Sequence, residues 1–334
     1  KKEENMLLSF SQRMKWFTII KIFMSLNQYK KILIIKHGSL GDITFALPAM
    51  NSIRFYFKYS KITLLTDSKF VNFLKKSQYF DLFLIDNRKG LWKTILVILK
   101  IFSNNYNLII DLQNSKRTNF YNFIFRFLTR AKISGSRSNA HYRYIIPEQG
   151  TESATAGLFK QLSMLNILEN KTDYDWLDID LNLNNFKNFI LFIPGVSKSG
   201  LHKQWKPDLF AQLAKHFENK GYKICVIGTK IDYPSIKPIL KECKNVINKI
   251  DQSPPEVVYT IAKNSHLIIS NDTGPGHIAA LSNTNILWLG LNNSISKSNL
   301  LQWKNSFTIL AKTMNQITVA QVIEYINKNN LLNK

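Results

Sequence analysis

Cysteine is nearly absent. Cys225 and Cys243 are the two in 334 residues, too few for a disulfide scaffold and without the spacing of a zinc site. Cys225 lies in the apolar run KICVIG and reads as core packing, which suits a reducing compartment. Long hydrophobic runs are missing as well. No stretch of roughly eighteen uncharged apolar residues occurs, so no membrane-spanning helix is expected. The first residues lack an apolar core followed by a small-residue cleavage site, so no secretory signal is expected either. No G-x-G-x-x-G follows a strand-like run, which argues against a nicotinamide oxidoreductase. Acidic residues are scarce: 22 Asp and Glu stand against 45 Lys and Arg, a net charge of +23.

Abundant Lys, Asn, Ile and Phe also follow from an AT-rich genome, so the distribution of charge is more informative than its total. Residues 1–147 hold 25 Lys/Arg and 7 Asp/Glu, and the remainder hold 20 and 15. A bias confined to one half points to an anionic partner there: nucleic acid, an anionic membrane or a phosphorylated substrate.

Residues 1–29 carry apolar residues at helical spacing with Arg13, Lys15 and Lys21 among them. This is a basic amphipathic segment, lying on a membrane surface or packed on its own domain. From Lys30, short apolar runs alternate with longer periodic segments, as in parallel strands joined by helices. KILIIK, KITLLTD, FDLFLID and YNLIIDL are predicted strands. Ile43 to Tyr56, GLWKTILVILKIF, Thr118 to Thr129 and residues 152–167 are predicted helices. Trp92–Phe102 and Phe120–Phe127 read as core helices, with insertion into a membrane interface as the alternative. The acidic, Asn-rich stretch 168–186 is the expected linker. A second series then alternates strands (FKNFILFIP, YKICVIG, VINKI, SHLIIS, NILWLG) with helices, the last over Val319 to Asn329. The expected fold class is α/β: two Rossmann-like doubly wound domains, residues 30–167 and 187–334, facing a central cleft.

In such sheets ligands bind beyond the carboxyl ends of the strands, and three predicted loops there carry unusual chemistry. SNDTGPGHIAAL places Asp272, Thr273 and Gly274 after a strand, with His277 in the first turn of the next helix. That turn can seat a phosphate on free N–H groups, or Asp272 or Thr273 simply caps the helix. IPGVSKSGLHKQWKP presents Lys198, His202, Lys203 and Trp205. A lysine there can neutralise a leaving diphosphate, or the loop is merely solvated and basic. KHGSLGDITFALPAM bears Gly38, Gly41 and a solitary carboxylate, Asp42. Two roles fit Asp42: a general base for a hydroxyl, or a cap for the helix from Ile43.

Taken together, KHGSLGDITFALPAM, LHKQWKP, SNDTGPGHIAAL and the strand-and-loop YNLIIDLQNSKRTN resemble the signature segments of glycosyltransferase family 9, the ADP-heptose:lipopolysaccharide heptosyltransferases. The resemblance runs in order from about Lys30 to Gly290. It implies a GT-B architecture with an acceptor-binding N-terminal domain and a donor-binding C-terminal domain. It also implies transfer of a heptose from a nucleotide-diphosphate sugar, with inversion. On this likeness Asp42 is the general base and Lys203 stabilises the departing diphosphate. Asp272, Thr273, Gly274, His277 and Lys198 form the donor site, with Asp232 against the ribose. Gly41, Lys116 and Arg117 face the acceptor.

No cofactor or metal is implied, because lysine and backbone N–H groups can neutralise the phosphates. The implied partners are a nucleotide sugar, ADP-heptose by this likeness, and an anionic glycolipid of the lipid A–Kdo type. The implied location is the cytoplasmic face of a bacterial inner membrane, where the basic half would dock, with the protein a monomer. After Gly290 the sequence LNNSISKSN replaces the family's Gly-Pro-Thr-like turn, which leaves a different donor or anionic glycan acceptor as the alternative. A basic nucleic-acid-binding protein is the alternative from another class; it leaves the Asp-Thr-Gly-Pro-x-His string without a role.

Overall fold

The computed structural model describes residues 28–182 and 187–332. The amphipathic segment expected over 1–29 lies, apart from its last two residues, outside the described residues. The chain divides into two units, each built on one six-stranded parallel sheet.

The first sheet holds β1 (Lys31–Ile35), β2 (Lys61–Thr66), β3 (Leu82–Ile85), β4 (Leu108–Asp111), β5 (Lys132–Gly135) and β6 (Tyr142–Arg143). Their spatial order is β3-β2-β1-β4-β5-β6. Ile32 pairs with Ile62 on one side and Leu108 on the other. The central strands are apolar at successive positions because a parallel sheet is covered on both faces by its crossover helices. Those helices are α1 (Leu40–Tyr56), α2 (Val71–Lys75), α3 (Leu91–Ser103) and α4 (Lys116–Leu128), followed by α5 (Ala154–Ser163). Right-handed crossovers from β3 to β4 and from β4 to β5 bring α3 and α4 to the same face. There Val97, Ile101, Tyr121 and Phe125 close a core with Leu33, Ile35, Ile109 and Ile133.

The second sheet repeats the winding. It holds β7 (Phe189–Ile193), β8 (Lys223–Gly228), β9 (Val246–Ile250), β10 (Leu267–Asn271), β11 (Ile286–Leu291) and β12 (Ser306–Ala311). The order is β12-β11-β10-β7-β8-β9. Around it lie α6 (Pro207–Asn219), α7 (Tyr233–Glu242), α8 (Pro255–Asn264), α9 (Gly274–Ala280), α10 (Ser294–Leu300) and α11 (Val319–Lys328). Its core runs from Ile190 and Phe192 through Trp205, Phe210 and Phe217 to Val322 and Ile326. Cys225 is buried in β8, as its apolar setting suggests.

The two sheets and their helices are the GT-B architecture. The second unit takes in Gly38–Phe45 and Pro147–Ala156 as well as the chain from Asp173 onward. Much of the stretch expected as a linker is therefore anchored: Leu177 is buried, and the Ile179 N–H donates to Thr260 Oγ1 at 3.0 Å.

Three expectations change. Helix α1 begins at Leu40 rather than Ile43, because Ser39 and Asp42 cap it together. Strands β5, β6 and β12 escape the periodicity: two have four residues or fewer, and β12 is half-buried along its whole length. The outer faces of α3 and α4, expected in the core, are exposed. Among the described residues no helix is long and apolar enough to cross a membrane.

Candidate active site

Each sheet reverses direction once, between β1 and β4 and between β7 and β10. Such switch points are where doubly wound sheets take their ligands. The strings singled out in the sequence leave these four strands: KHGSLGD after β1, DLQNSKR after β4, PGVSKSGLHKQW after β7 and DTGPGH after β10.

In the second unit Asn271 ties two of these loops together. Its buried side chain donates to the Pro194 carbonyl at 2.8 Å and accepts from the Trp205 N–H at 3.0 Å. Trp205 is fully buried, and its indole N–H donates to the Ile317 carbonyl at 2.8 Å, so it anchors the loop. The 3₁₀ turn Lys198–Lys203 is thereby held with Lys203 Nζ 3.0 Å from Asp272 Oδ2. The other oxygen, Oδ1, lies 3.3 Å from His277 Nε2, and His277 Nδ1 lies 3.2 Å from Trp303 Nε1. Burial alone would raise the Asp272 pKa. Hydrogen bonds and charge from His277 and Lys203 outweigh it and bring the value down to about 2. Asp272 is therefore an ionised carboxylate gripping a lysine.

The helix-cap reading of this string does not describe it. Thr273 is the N-cap residue of α9 but makes no side-chain cap bond, and Asp272 turns to Lys203 and His277. Gly274 is needed for close approach rather than for a tight turn: a Cβ there would meet Leu40 Cβ at 3.0 Å and the Gly41 nitrogen at 3.2 Å. Because α9 has only seven residues, its dipole is weak, and Lys203 carries most of the positive charge. Lys198 is exposed at the start of its turn.

The segment Gly38–Phe45 groups with this second unit and packs on α9. A Cβ on Gly41 would meet His277 Cδ2 at 3.2 Å, and the Phe45 ring lies 4.5 Å from the imidazole. Gly41 therefore fits closely against α9. Asp42 is the third residue of a capping box: Oδ2 accepts from the Ser39 N–H at 2.7 Å and from Ser39 Oγ at 2.8 Å. Both bonds fall on Oδ2, leaving Oδ1 outside the cap. Capping and chemistry can share one carboxylate.

Asp232 follows β8 and closes another capping box, accepting from the Thr229 N–H and Oγ1 at 2.8 Å each. It presses on Gly195, where an added Cβ would lie 2.4 Å from Oδ1. Its place after the second strand of the sheet is where doubly wound folds hold a ribose.

In the first unit Lys116 is exposed, whereas the guanidinium of Arg117 is engaged internally. Its nitrogens donate to Asp86 at 3.1 and 3.3 Å and to Thr94 Oγ1 at 2.9 Å. Tyr121 also donates to Asp86 at 2.8 Å. Burial would raise the Asp86 pKa, but these bonds and the Arg88 N–H hold it below the usual carboxylate range. The Asp-Leu-Gln string organises its own loop. Buried Asp111 accepts from the N–H groups of Gln113 and Asn114, and Gln113 Oε1 accepts from the His37 N–H at 2.9 Å.

The sequence profile of glycosyltransferase family 9 (heptosyltransferase) matches residues 97–317, well over half of the chain. The chain belongs to glycosyltransferase family 9. It is 27% identical over 298 residues to lipopolysaccharide heptosyltransferase 1 of Campylobacter coli, covering 78% of this chain and 84% of that one. Among solved structures, a family 9 glycosyl transferase from Veillonella parvula superposes with a TM-score of 0.72 at 17% identity, over 91% of this chain and 97% of that one. The E. coli heptosyltransferase WaaC with ADP-2-deoxy-2-fluoro heptose gives 0.71 at 15%, over 90% and 99%.

The matched span contains the β4, β7 and β10 loops; Asp42 precedes it. Sequence reasoning missed four residues of this glycosyltransferase that shape the site. Trp303 and Phe45 enclose His277, Trp303 from a segment without a motif and Phe45 from inside KHGSLGDITFALPAM. Asp86 and His37 pair at the end of the first sheet, His37 Nε2 standing 3.7 Å from Asp86 Oδ2. His37 lies inside KHGSLGD, and its burial was the one signal available, through the apolar strand just before it.

Proposed function

We propose that this protein is an inverting heptosyltransferase that moves a heptose from ADP-heptose to a hydroxyl of the lipopolysaccharide inner core. The observation that carries the reading is Lys203, held 3.0 Å from Asp272 at the switch point of the second sheet. A pre-positioned cation at a strand end supports departure of a diphosphate, because it meets charge that grows as the glycosidic C–O bond breaks. Asp272 orients Lys203 and His277. The N–H groups of Gly274 and Gly276, with the Thr273 hydroxyl and Lys198, complete the phosphate contacts, and Asp232 receives the ribose.

Asp42 Oδ1 removes the proton as the acceptor oxygen attacks the anomeric carbon. The bonding pair of the C–O bond leaves with the diphosphate, which needs no general acid. One carboxylate and a good leaving group suit a single displacement on the face opposite the nucleotide, hence inversion through an oxocarbenium-like transition state. Lys116 meets acidic groups of the acceptor, a glycolipid at the cytoplasmic face of the inner membrane, while Arg117 orders the loop beneath. No metal or cofactor has a part in this scheme.

The test is ligand-induced stabilisation followed by turnover. ADP-heptose should raise the melting temperature more than UDP- or GDP-sugars. Asp42→Ala should retain that shift and lose transfer by about 10²–10⁴-fold, and Lys203→Ala should weaken both. Stabilisation by a UDP- or GDP-sugar alone would remove ADP-heptose as donor, and a fully active Asp42→Ala enzyme would remove the base.

A further inference from the structure

We propose that Gln204 is a positioning residue that fixes the spacing between Lys203 and Asp232. This rests on Lys203 meeting the diphosphate and Asp232 the ribose, as in the proposed function. The sheet order places β7 between β10 and β8, so the loop leaving β7 has a neighbour on either flank. On the β10 side, Lys203 Nζ lies 3.0 Å from Asp272 and the Trp205 N–H donates to Asn271 at 3.0 Å. Gln204, between them in sequence, goes the other way. Its backbone is extended, with φ −80° and ψ 124°, which turns its side chain away from those of its two neighbours. Its Nε2 donates to the Ser235 hydroxyl at 2.5 Å and to the Pro194 carbonyl at 3.3 Å. A carboxamide nitrogen carries two hydrogens, and here each finds an acceptor on a different segment.

Both acceptors lead to Asp232. Ser235 is buried in the first turn of α7. Asp232 immediately precedes that helix and is locked there by its bonds to Thr229. Pro194 lies just before Gly195, against which the Asp232 carboxylate packs. The Pro194 carbonyl also accepts from Asn271 at 2.8 Å. One carbonyl therefore joins the β10 loop, the end of the β7 loop and, through Gln204, the start of α7. Without the Gln204 carboxamide, Asn271 and Trp205 still close the β7 loop on β10, and Lys203 still has Asp272. What goes is the lateral tie to α7, and with it the set distance from Lys203 to Asp232. A nucleoside diphosphate must satisfy both residues at once, and contacts held in register beforehand lose less freedom on binding.

The experiment is calorimetric titration of the whole protein with ADP and with 2′,3′-dideoxy-ADP, which lacks the ribose hydroxyls. The wild type should bind ADP about tenfold tighter or more, the worth of hydrogen bonds to a carboxylate. Asp232→Ala should bind the two nucleotides alike. Gln204→Met keeps the length of the side chain and removes both donors. It should weaken ADP by about tenfold and dideoxy-ADP little, so that the preference nearly vanishes although Asp232 is present. Ser235→Ala, which deletes a single oxygen, should do the same, and the double variant should lose no more than either. A preference kept by Gln204→Met and by Ser235→Ala, but lost in Asp232→Ala, overturns the proposal and leaves the donor site standing. Equal weakening of both nucleotides also overturns it, because Gln204 would then serve the fold alone. No preference in the wild type, or an unchanged one in Asp232→Ala, would remove the ribose contact and the proposal with it.

Discussion

Trp303 orients His277 through its indole N–H. An indole N–H can only donate, so His277 Nδ1, 3.2 Å away, must accept. The ring hydrogen then sits on Nε2 and points to Asp272 Oδ1 at 3.3 Å. Trp303→Phe removes the constraint while keeping an aromatic ring against Phe45. Nitrogen chemical shifts of the histidine should report a single Nε2–H tautomer in the wild type and a mixture in the variant, with a stability loss of about 1 kcal/mol. An unchanged tautomer in the variant would remove Trp303 from this role.

The Asp272 carboxylate gives stability a sign at low pH. Its pKa falls from 3.8 to about 2 in the folded chain. A depressed acid contributes its full stabilisation above its unfolded pKa and loses it as pH falls toward the folded value, so the window is roughly pH 4 to 2. The size is about 2 kcal/mol. Denaturant unfolding of the wild type and Asp272→Asn should show a gap that closes across this window. A gap independent of pH would mean that Asp272 is not held by Lys203 and His277 in solution.

How far could the site be read from the sequence? The strings bearing Asp42, Lys203 and Asp272 stood out because each interrupts an apolar strand with polar and glycine residues that packing does not require. That those loops lie at the carboxyl ends of parallel strands followed from βα alternation, whereas the strand order that puts them at the switch points did not. Side-chain partnerships did not. Arg117 reads as a free cation until Asp86, thirty-one residues earlier, is seen beneath it. Gly41 and Gly274 read as turn residues, yet Gly41 is small because the His277 ring is close and Gly274 because Leu40 and the Gly41 backbone are. The outer faces of α3 and α4 misled in another way: apolar periodicity shows that a helix has a core side but not that the opposite, equally apolar side is uncovered.

His37 contributes a second pH dependence in a different range. It is 1% exposed, and its pKa drops to about 4, chiefly through burial, with Asp86 opposing and Arg88 and Arg117 adding to the fall. The unfolded chain takes up a proton near pH 6.5 that the folded chain refuses until about pH 4. Stability should therefore decline as pH falls through that interval, by roughly 3 kcal/mol. Urea midpoints for the wild type should fall between pH 6.5 and 4, and those of His37→Gln should fall much less. Parallel curves for the two proteins would place the titration elsewhere.

The last prediction separates the two duties of Asp42. Gly38 has φ +110°, and a Cβ there would stand 2.5 Å from Asp42 Oδ2. Gly38→Ala is strained on both counts, at about 1–3 kcal/mol, and it displaces the carboxylate without removing it. Ser39→Ala removes the hydroxyl, one of the two donors to Oδ2, and costs about 1 kcal/mol of helix capping. In both variants the carboxylate remains but its aim is lost. Transfer should fall by about tenfold or more through kcat, while the donor-induced melting shift persists, because Lys203 and Asp272 are untouched. Asp42→Asn keeps an oxygen to accept from Ser39 and so should be nearly as stable as the wild type, yet it should be the least active of the three. If Asp42→Asn instead transferred sugar faster than Gly38→Ala, the capping box would be the whole function of Asp42, and the base would have to be sought on another loop.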